Sequence, residues 1–171
     1  WAYHDEWGIT HRRPRPDGLY YSIVREPLGD LELTPQLLER HSWPDMADPR
    51  RIAGLRGLAE RFRAAGYGVV LKDPFAGIFE FSQRIVGMEN LLMMMITNEN
   101  EVCALFDKLL ELKLDYWEKA LAELGDLVDI VTYADDYGTQ ESQIISPDMF
   151  RRLIKPRVKT LFETFIKSAP Y

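Results

Sequence analysis

Apolar positions along the chain recur at two periods, one of about 3.6 residues and one close to continuous, and their alternation sets the expected elements. Ile52, Leu55, Leu58, Ala59 and Phe62 fall at helical spacing after Asp48-Pro49, and Gly66 closes that helix. The run "YGVVLK" (67 to 72) is short, β-branched and bounded by Gly66 and Pro74, which predicts a buried strand. "FAGIFEFSQRIVG" reads as a helix ending at Gly87. Asn98 with Glu101 resembles a capping box that opens the longest helix, to about Leu124. Val102, Leu105, Phe106, Leu109, Tyr116, Trp117 and Ala120 form its apolar stripe, and Gly125 stops it. A strand over Leu127 to Tyr133 leads into an acidic loop.

Smaller signals fill in the rest. Thr34-Pro35 and Ser146-Pro147 each pair a capping hydroxyl with a proline at the first helical position. Pro156 should kink the last helix, because it removes an amide donor and crowds the preceding turn. "RPRPDGLYYSIV" holds a Pro16-Asp17-Gly18 turn between extended segments, which predicts a small hairpin. The order strand, helix, strand, helices, strand, helix favours an α/β fold with parallel strands and helical crossovers. The 171 residues are expected to form a single domain, 1–171.

Composition narrows the function classes. A hydrophobic share of 46% with 28% charged residues suits a globular protein with a sizeable core. The net charge of -6 argues against a nucleic-acid partner, and the short His11-Arg12-Arg13 and Arg15 cluster does not reverse that. No apolar run reaches the roughly 18 residues that a membrane helix needs. The single cysteine, Cys103, leaves no intrachain disulfide and fits a cytoplasmic location. Its setting among Val102, Leu105 and Phe106 reads as a core thiol, and Met93, Met94 and Met95 read as a gap-filling core cluster. The chain begins with Trp1 and ends at "SAPY" just after a helix, which suggests an excised piece.

Ligands of parallel α/β folds sit at the carboxyl ends of strands, so polar residues just past a strand are the candidates. Three places qualify. In "YHDEWG" (3 to 8), Asp5 and Glu6 lie beside Trp7, either as a desolvated carboxylate or as an ordinary acidic turn before Gly8. Asp135 and Asp136 follow the strand at 127 to 133. Alternation leaves Tyr133 and Asp135 as the inward set, with Val128, Ile130, Thr132 and Ala134 under helices. Either two close carboxylates do acid/base work there, or one of them caps a turn toward Gly138. In "FEFSQRIVGMEN", Glu80, Phe81 and Gln83 could line a pocket or a half-exposed helix face. His4, His11 and His41 lack the spacing that places two imidazoles on one helix face, and no phosphate-binding glycine loop or nucleophile elbow occurs.

The segments "DEWG" (5 to 8), "REPLGD" (25 to 30), "WPDMADPRR" (43 to 51), "IVGMEN" (85 to 90) and "DDYGTQESQIISPDMFRRLIKPRVKTLF" (135 to 162) together resemble the uroporphyrinogen decarboxylase superfamily. They resemble its divergent, corrinoid methyltransferase-like branch more than the haem-pathway decarboxylases. The resemblance implies a (β/α)8 TIM barrel, of which a chain this long holds about half. It also implies corrinoid-dependent methyl transfer to a thiol or tetrahydrofolate acceptor. Uroporphyrinogen decarboxylation without a cofactor is the alternative, and a non-catalytic relative that docks a corrinoid protein is the second. "DDYGTQ" departs from the decarboxylase pattern at that loop.

On this reading Asp5, Asp135 and Asp136 are the catalytic candidates, and Trp7, Glu80, Phe81, Tyr133 and Gln140 line the substrate site. The expected substrate is a small molecule or tetrapyrrole. A corrinoid is the expected cofactor, and any zinc ligands would lie beyond Tyr171. A corrinoid protein and further copies of the chain are the partners the resemblance admits. A piece of a barrel would also expose apolar faces and strand edges, and so should associate in isolation.

Overall fold

The computed structural model describes residues 1–168 except Pro14 and Pro16. The expected turn at Pro16 and the chain end at "SAPY" therefore lie partly outside the described residues. Contacts divide the chain into two compact units, Trp1–Pro44 with Phe79–Lys108, and Asp45–Ile78 with Leu109–Tyr171.

In the first unit, β1 (Ala2–His4), β2 (Thr10–Arg12) and β3 (Ser22–Arg25) form an antiparallel sheet in the order β1-β2-β3. The expected hairpin is the β2–β3 pair, and β1 extends it to three strands. Helix α1 (Pro35–Arg40) begins where the Thr34 hydroxyl accepts from the Leu37 amide at 3.1 Å. The unit also holds α4 (Met88–Thr97), which local patterning left without an element, and the part of α3 (Ile78–Val86) from Phe79 onward. Its core includes Trp7, Ile9, Phe79, Phe81, Ile85 and Phe106, all buried. The methionine run divides around the helix. Met95 is buried, whereas Met93 is 54% exposed. Cys103 is half-buried and not part of the core, because it lies one position off the buried Val102, Leu105 and Phe106 face.

The second unit contains the parallel pair β4 (Val70–Lys72) and β5 (Ile130–Thr132), joined in register Val70 to Ile130, Leu71 to Val131 and Lys72 to Thr132. The expected parallel pairing is present, but the strands are shorter than the apolar runs and are not buried. Val70 is 55% and Ile130 56% exposed, and each strand of this two-stranded sheet has one pairing partner among the described residues. The single helix expected after Asp48 divides into a 3-10 turn, Pro49–Arg51, and α2 (Leu55–Ala64). Of its apolar stripe only Ala59 is buried, and Leu58 and Phe62 face outward.

Helix α5 (Glu99–Leu124) carries the expected stripe, with Val102, Leu105, Phe106, Leu109, Tyr116, Trp117 and Ala120 all buried. Its residues belong to the first unit up to Lys108 and to the second from Leu109. The Ser146 hydroxyl caps α6 (Pro147–Met149) by accepting from the Met149 amide at 3.2 Å. A widened π-helical turn, Phe150–Ile154, then leads into α7 (Lys155–Ser168). That turn ends just before Pro156, whose missing donor makes it a natural place to shift the ladder.

Candidate functional site

The carboxyl ends of β4 and β5 gather a cluster of polar side chains in the second unit. Asp73 follows β4 directly and its amide donates to the Thr132 carbonyl at 3.1 Å, which continues the parallel pairing by one residue. Its carboxylate accepts from Lys113 Nζ at 2.6 Å through Oδ2 and from Trp117 Nε1 at 3.0 Å through Oδ1. Lys113 also donates to the Phe75 carbonyl at 3.1 Å, and its ammonium lies 3.8 Å from the centre of the Phe75 ring. Both charges are enclosed, with the Lys113 side chain 0% and the Asp73 side chain 5% exposed. Burial pushes the Asp73 carboxyl above its ordinary value, and the ammonium beside it works in the opposite direction.

Asp135 lies three residues past the end of β5. Its Oδ2 accepts from the Tyr133 hydroxyl at 2.9 Å and from the Tyr137 hydroxyl at 2.8 Å. The Tyr133 oxygen in turn accepts from the Ile78 amide at 3.2 Å. Burial, and then the charge of Asp135, pushes both phenols above the ordinary value, so each keeps its proton and acts as a donor at neutral pH. Gly77 presses on this carboxylate. Its amide donates to the Ala134 carbonyl at 2.7 Å, and a Cβ there would stand 2.1 Å from Cβ and Cγ of Asp135. Only a residue without a side chain allows that approach.

The two adjacent aspartates separate by role. Asp136 is exposed, and its Oδ1 accepts from the Gly138 amide at 3.2 Å, which is the turn-capping alternative. Gln140 is exposed in the loop closed by the Gly138 to Gln143 bridge. Tyr133 is half-buried and bonded to Asp135, as the inward reading requires, but Ile130 does not pack under a helix.

The remaining candidates lie in the first unit. Asp5 Oδ1 accepts from the Trp7 and Ile9 amides, each at 3.0 Å, and Oδ2 lies 2.8 Å from His11 Nε2. The carboxylate thus closes the β1–β2 turn, where Gly8 takes a φ of +80°. Trp7 and Phe81 are both buried and meet edge to face with centroids 4.6 Å apart. They form core in this unit. Glu80 is paired with Arg84 one turn along α3.

Sequence reasoning missed Asp73, Gly77, Lys113, Trp117 as a donor, and Tyr137. Two signals were present. Asp73 meets the same strand-end rule that selected Asp135. Lys113 lies four residues after Leu109 and four before Trp117, so a charge interrupts the apolar stripe of α5. Among the described residues no group of three or more His, Cys, Asp or Glu side chains is placed to hold a metal ion.

Parallel strands with polar side chains gathered at their carboxyl ends mark an α/β protein of the kind that binds ligands there. Residues 44–170 match the uroporphyrinogen decarboxylase (URO-D) family, and the chain belongs to it. Among solved structures the chain is similar to a methyltransferase from Methanosarcina mazei, with a TM-score of 0.58 and 16% sequence identity. The likeness covers 94% of this chain and 44% of that one. At that identity the likeness concerns the fold alone, and the chain spans less than half the length of the methyltransferase. No curated protein matches. Among the described residues no helix is long and apolar enough to cross a membrane.

Proposed function

We propose that this chain forms part of a (β/α)8 barrel of the methyltransferase-like branch, and that its full protein transfers a methyl group between a corrinoid and a thiol or tetrahydrofolate acceptor. The observation that carries this reading is Asp135, a carboxylate just beyond a parallel strand and held by two phenol hydroxyls. A carboxylate can accept at about four lone-pair sites, so it can serve the phenols and a substrate donor together. The amide-bearing rim of a corrinoid, or the N–H groups of a folate, supplies such donors. Asp135 would bind and orient that group, with Tyr133 and Tyr137 holding the carboxylate in place. The corrinoid would supply the methyl group itself. The departure of "DDYGTQ" from the decarboxylase pattern favours this reading over decarboxylation.

The test is turnover by the full protein with methylcobalamin and either acceptor, run beside carbon dioxide release from uroporphyrinogen. Methyl transfer in the wild type, lowered on the order of a hundredfold in Asp135→Asn, is the expected result. Carbon dioxide release without methyl transfer would replace the reading with the decarboxylase. Turnover in neither assay would leave a binding-only relative.

A further inference from the structure

Lys113 is a charge placed where the helix pattern calls for an apolar side chain, and its partners explain how such a residue can act at a distance. Its ammonium holds Asp73 at 2.6 Å and the Phe75 carbonyl at 3.1 Å. Those two contacts lie at the start and middle of the segment 73–78. The end of the same segment meets the carboxylate cluster, where Gly77 abuts Asp135 and the Ile78 amide donates to the Tyr133 oxygen at 3.2 Å. The Lys113 ammonium also lies 5.6 Å from the centre of the Tyr133 ring.

We propose that Lys113 is a positioning residue for Asp135, acting through the backbone of residues 73–78 and the Tyr133 hydroxyl. A buried ion pair is often no more stable than a well-packed apolar pair of similar volume, so stability alone gives weak reason for a lysine here. A hydrogen-bonding ammonium, however, fixes both a carboxylate and a carbonyl in direction, which an apolar side chain cannot do. Trp117 completes the clamp by holding the second oxygen of Asp73 at 3.0 Å. The segment is thereby oriented at its start by Lys113 and Trp117 and stitched at its end to the Ala134 carbonyl at 2.7 Å. The catalytic consequence rests on the methyl-transfer reading, whereas the effect on Tyr133 does not.

The test uses the full protein carrying Lys113→Met together with Asp73→Leu, which removes both charges at similar volume. The expected result is a melting temperature above that of Lys113→Met alone and kcat for methyl transfer lowered at least tenfold with KM within about twofold. The Cζ carbon-13 resonance of Tyr133, assigned with Tyr133→Phe, should shift. A restored melting temperature with the Tyr133 resonance and kcat both at wild-type values would overturn the proposal and leave the pair as packing. Should the double variant not fold, Trp117→Phe keeps both charges and an aromatic ring while removing one donor to Asp73. It should shift the Tyr133 resonance by a smaller but resolved amount, and an unmoved resonance would equally overturn the proposal. A resonance shifted in Trp117→Phe, in a protein without methyl transfer, would defeat the functional reading and leave this inference standing.

Discussion

Asp5 and Asp73 each follow a three-residue strand, yet their surroundings differ in kind. Asp5 finds all of its partners named above within six residues, in the Trp7 and Ile9 amides and the His11 ring. Asp73 finds its partners 40 and 44 residues away, in Lys113 and Trp117. Exposure follows the same division, with 24% of the Asp5 side chain and 5% of the Asp73 side chain open to solvent. The cause is strand direction. An antiparallel strand turns back at once, so its own next amides are at hand to receive a carboxylate. A parallel strand leaves the sheet edge, and a carboxylate at its end must be met by side chains delivered from a distant helix. The first arrangement holds a turn. The second couples remote parts of the chain, which is the property a binding site needs.

The strongest test of that contrast is Lys113→Met alone. It leaves the Asp73 carboxylate buried without its ammonium and should cost about 3–5 kcal/mol, measured by denaturant unfolding. A loss below about 1 kcal/mol would show that solvent reaches Asp73 and would remove the contrast in burial. Gly77→Ala should come next, at about 1–3 kcal/mol, because the new methyl group overlaps Asp135 and must push the segment 73–78 away from β5. Turnover should fall with it. Wild-type stability in that variant would mean that the close approach of Gly77 to Asp135 is relieved without effect.

Asp5→Ala removes an acceptor from two backbone amides and should cost about 1–2 kcal/mol while leaving turnover intact. Lost turnover at unchanged stability would break the comparison and return Asp5 to the role of ligand anchor. The smallest effect is expected at Asp48, whose side chain accepts from the Arg50 guanidinium and from the Arg50 amide at the start of the 3-10 turn. The guanidinium hydrogen bond, with the amide's help, holds this carboxyl down at about 2, from an ordinary value of 3.8. A depressed value means that the contribution is present above about pH 4 and is lost as pH falls toward 2. Asp48→Asn should flatten that part of the melting-temperature profile, and an unchanged slope between pH 4 and 2 would show that the exposed pair is inert.

Much of the fold was legible because it is decided within a turn or two of chain. Thr34, Asp48 and Ser146 cap as their side-chain chemistry dictates, since each reaches an amide two or three residues ahead. The α5 stripe was readable for the same reason, as its period is built into helix geometry. The candidate site was legible only in part. Asp135 with Tyr133 followed from strand alternation, whereas the division of labour between Asp135 and Asp136 depended on where the backbone turned. Strand burial was misjudged at Val70 and Ile130, because a β-branched run does not show whether anything covers it.

The amino-acid sequence by itself determined the caps of α1 and α6, the extent of α5, the parallel strand pair and the family to which the chain belongs, all carried by local spacing and motif order. The tertiary structure alone decided that Lys113 neutralises Asp73 and that Gly77 abuts Asp135. Those contacts join residues 40 and 58 positions apart, and the energy of a buried charge depends on what stands beside it in space.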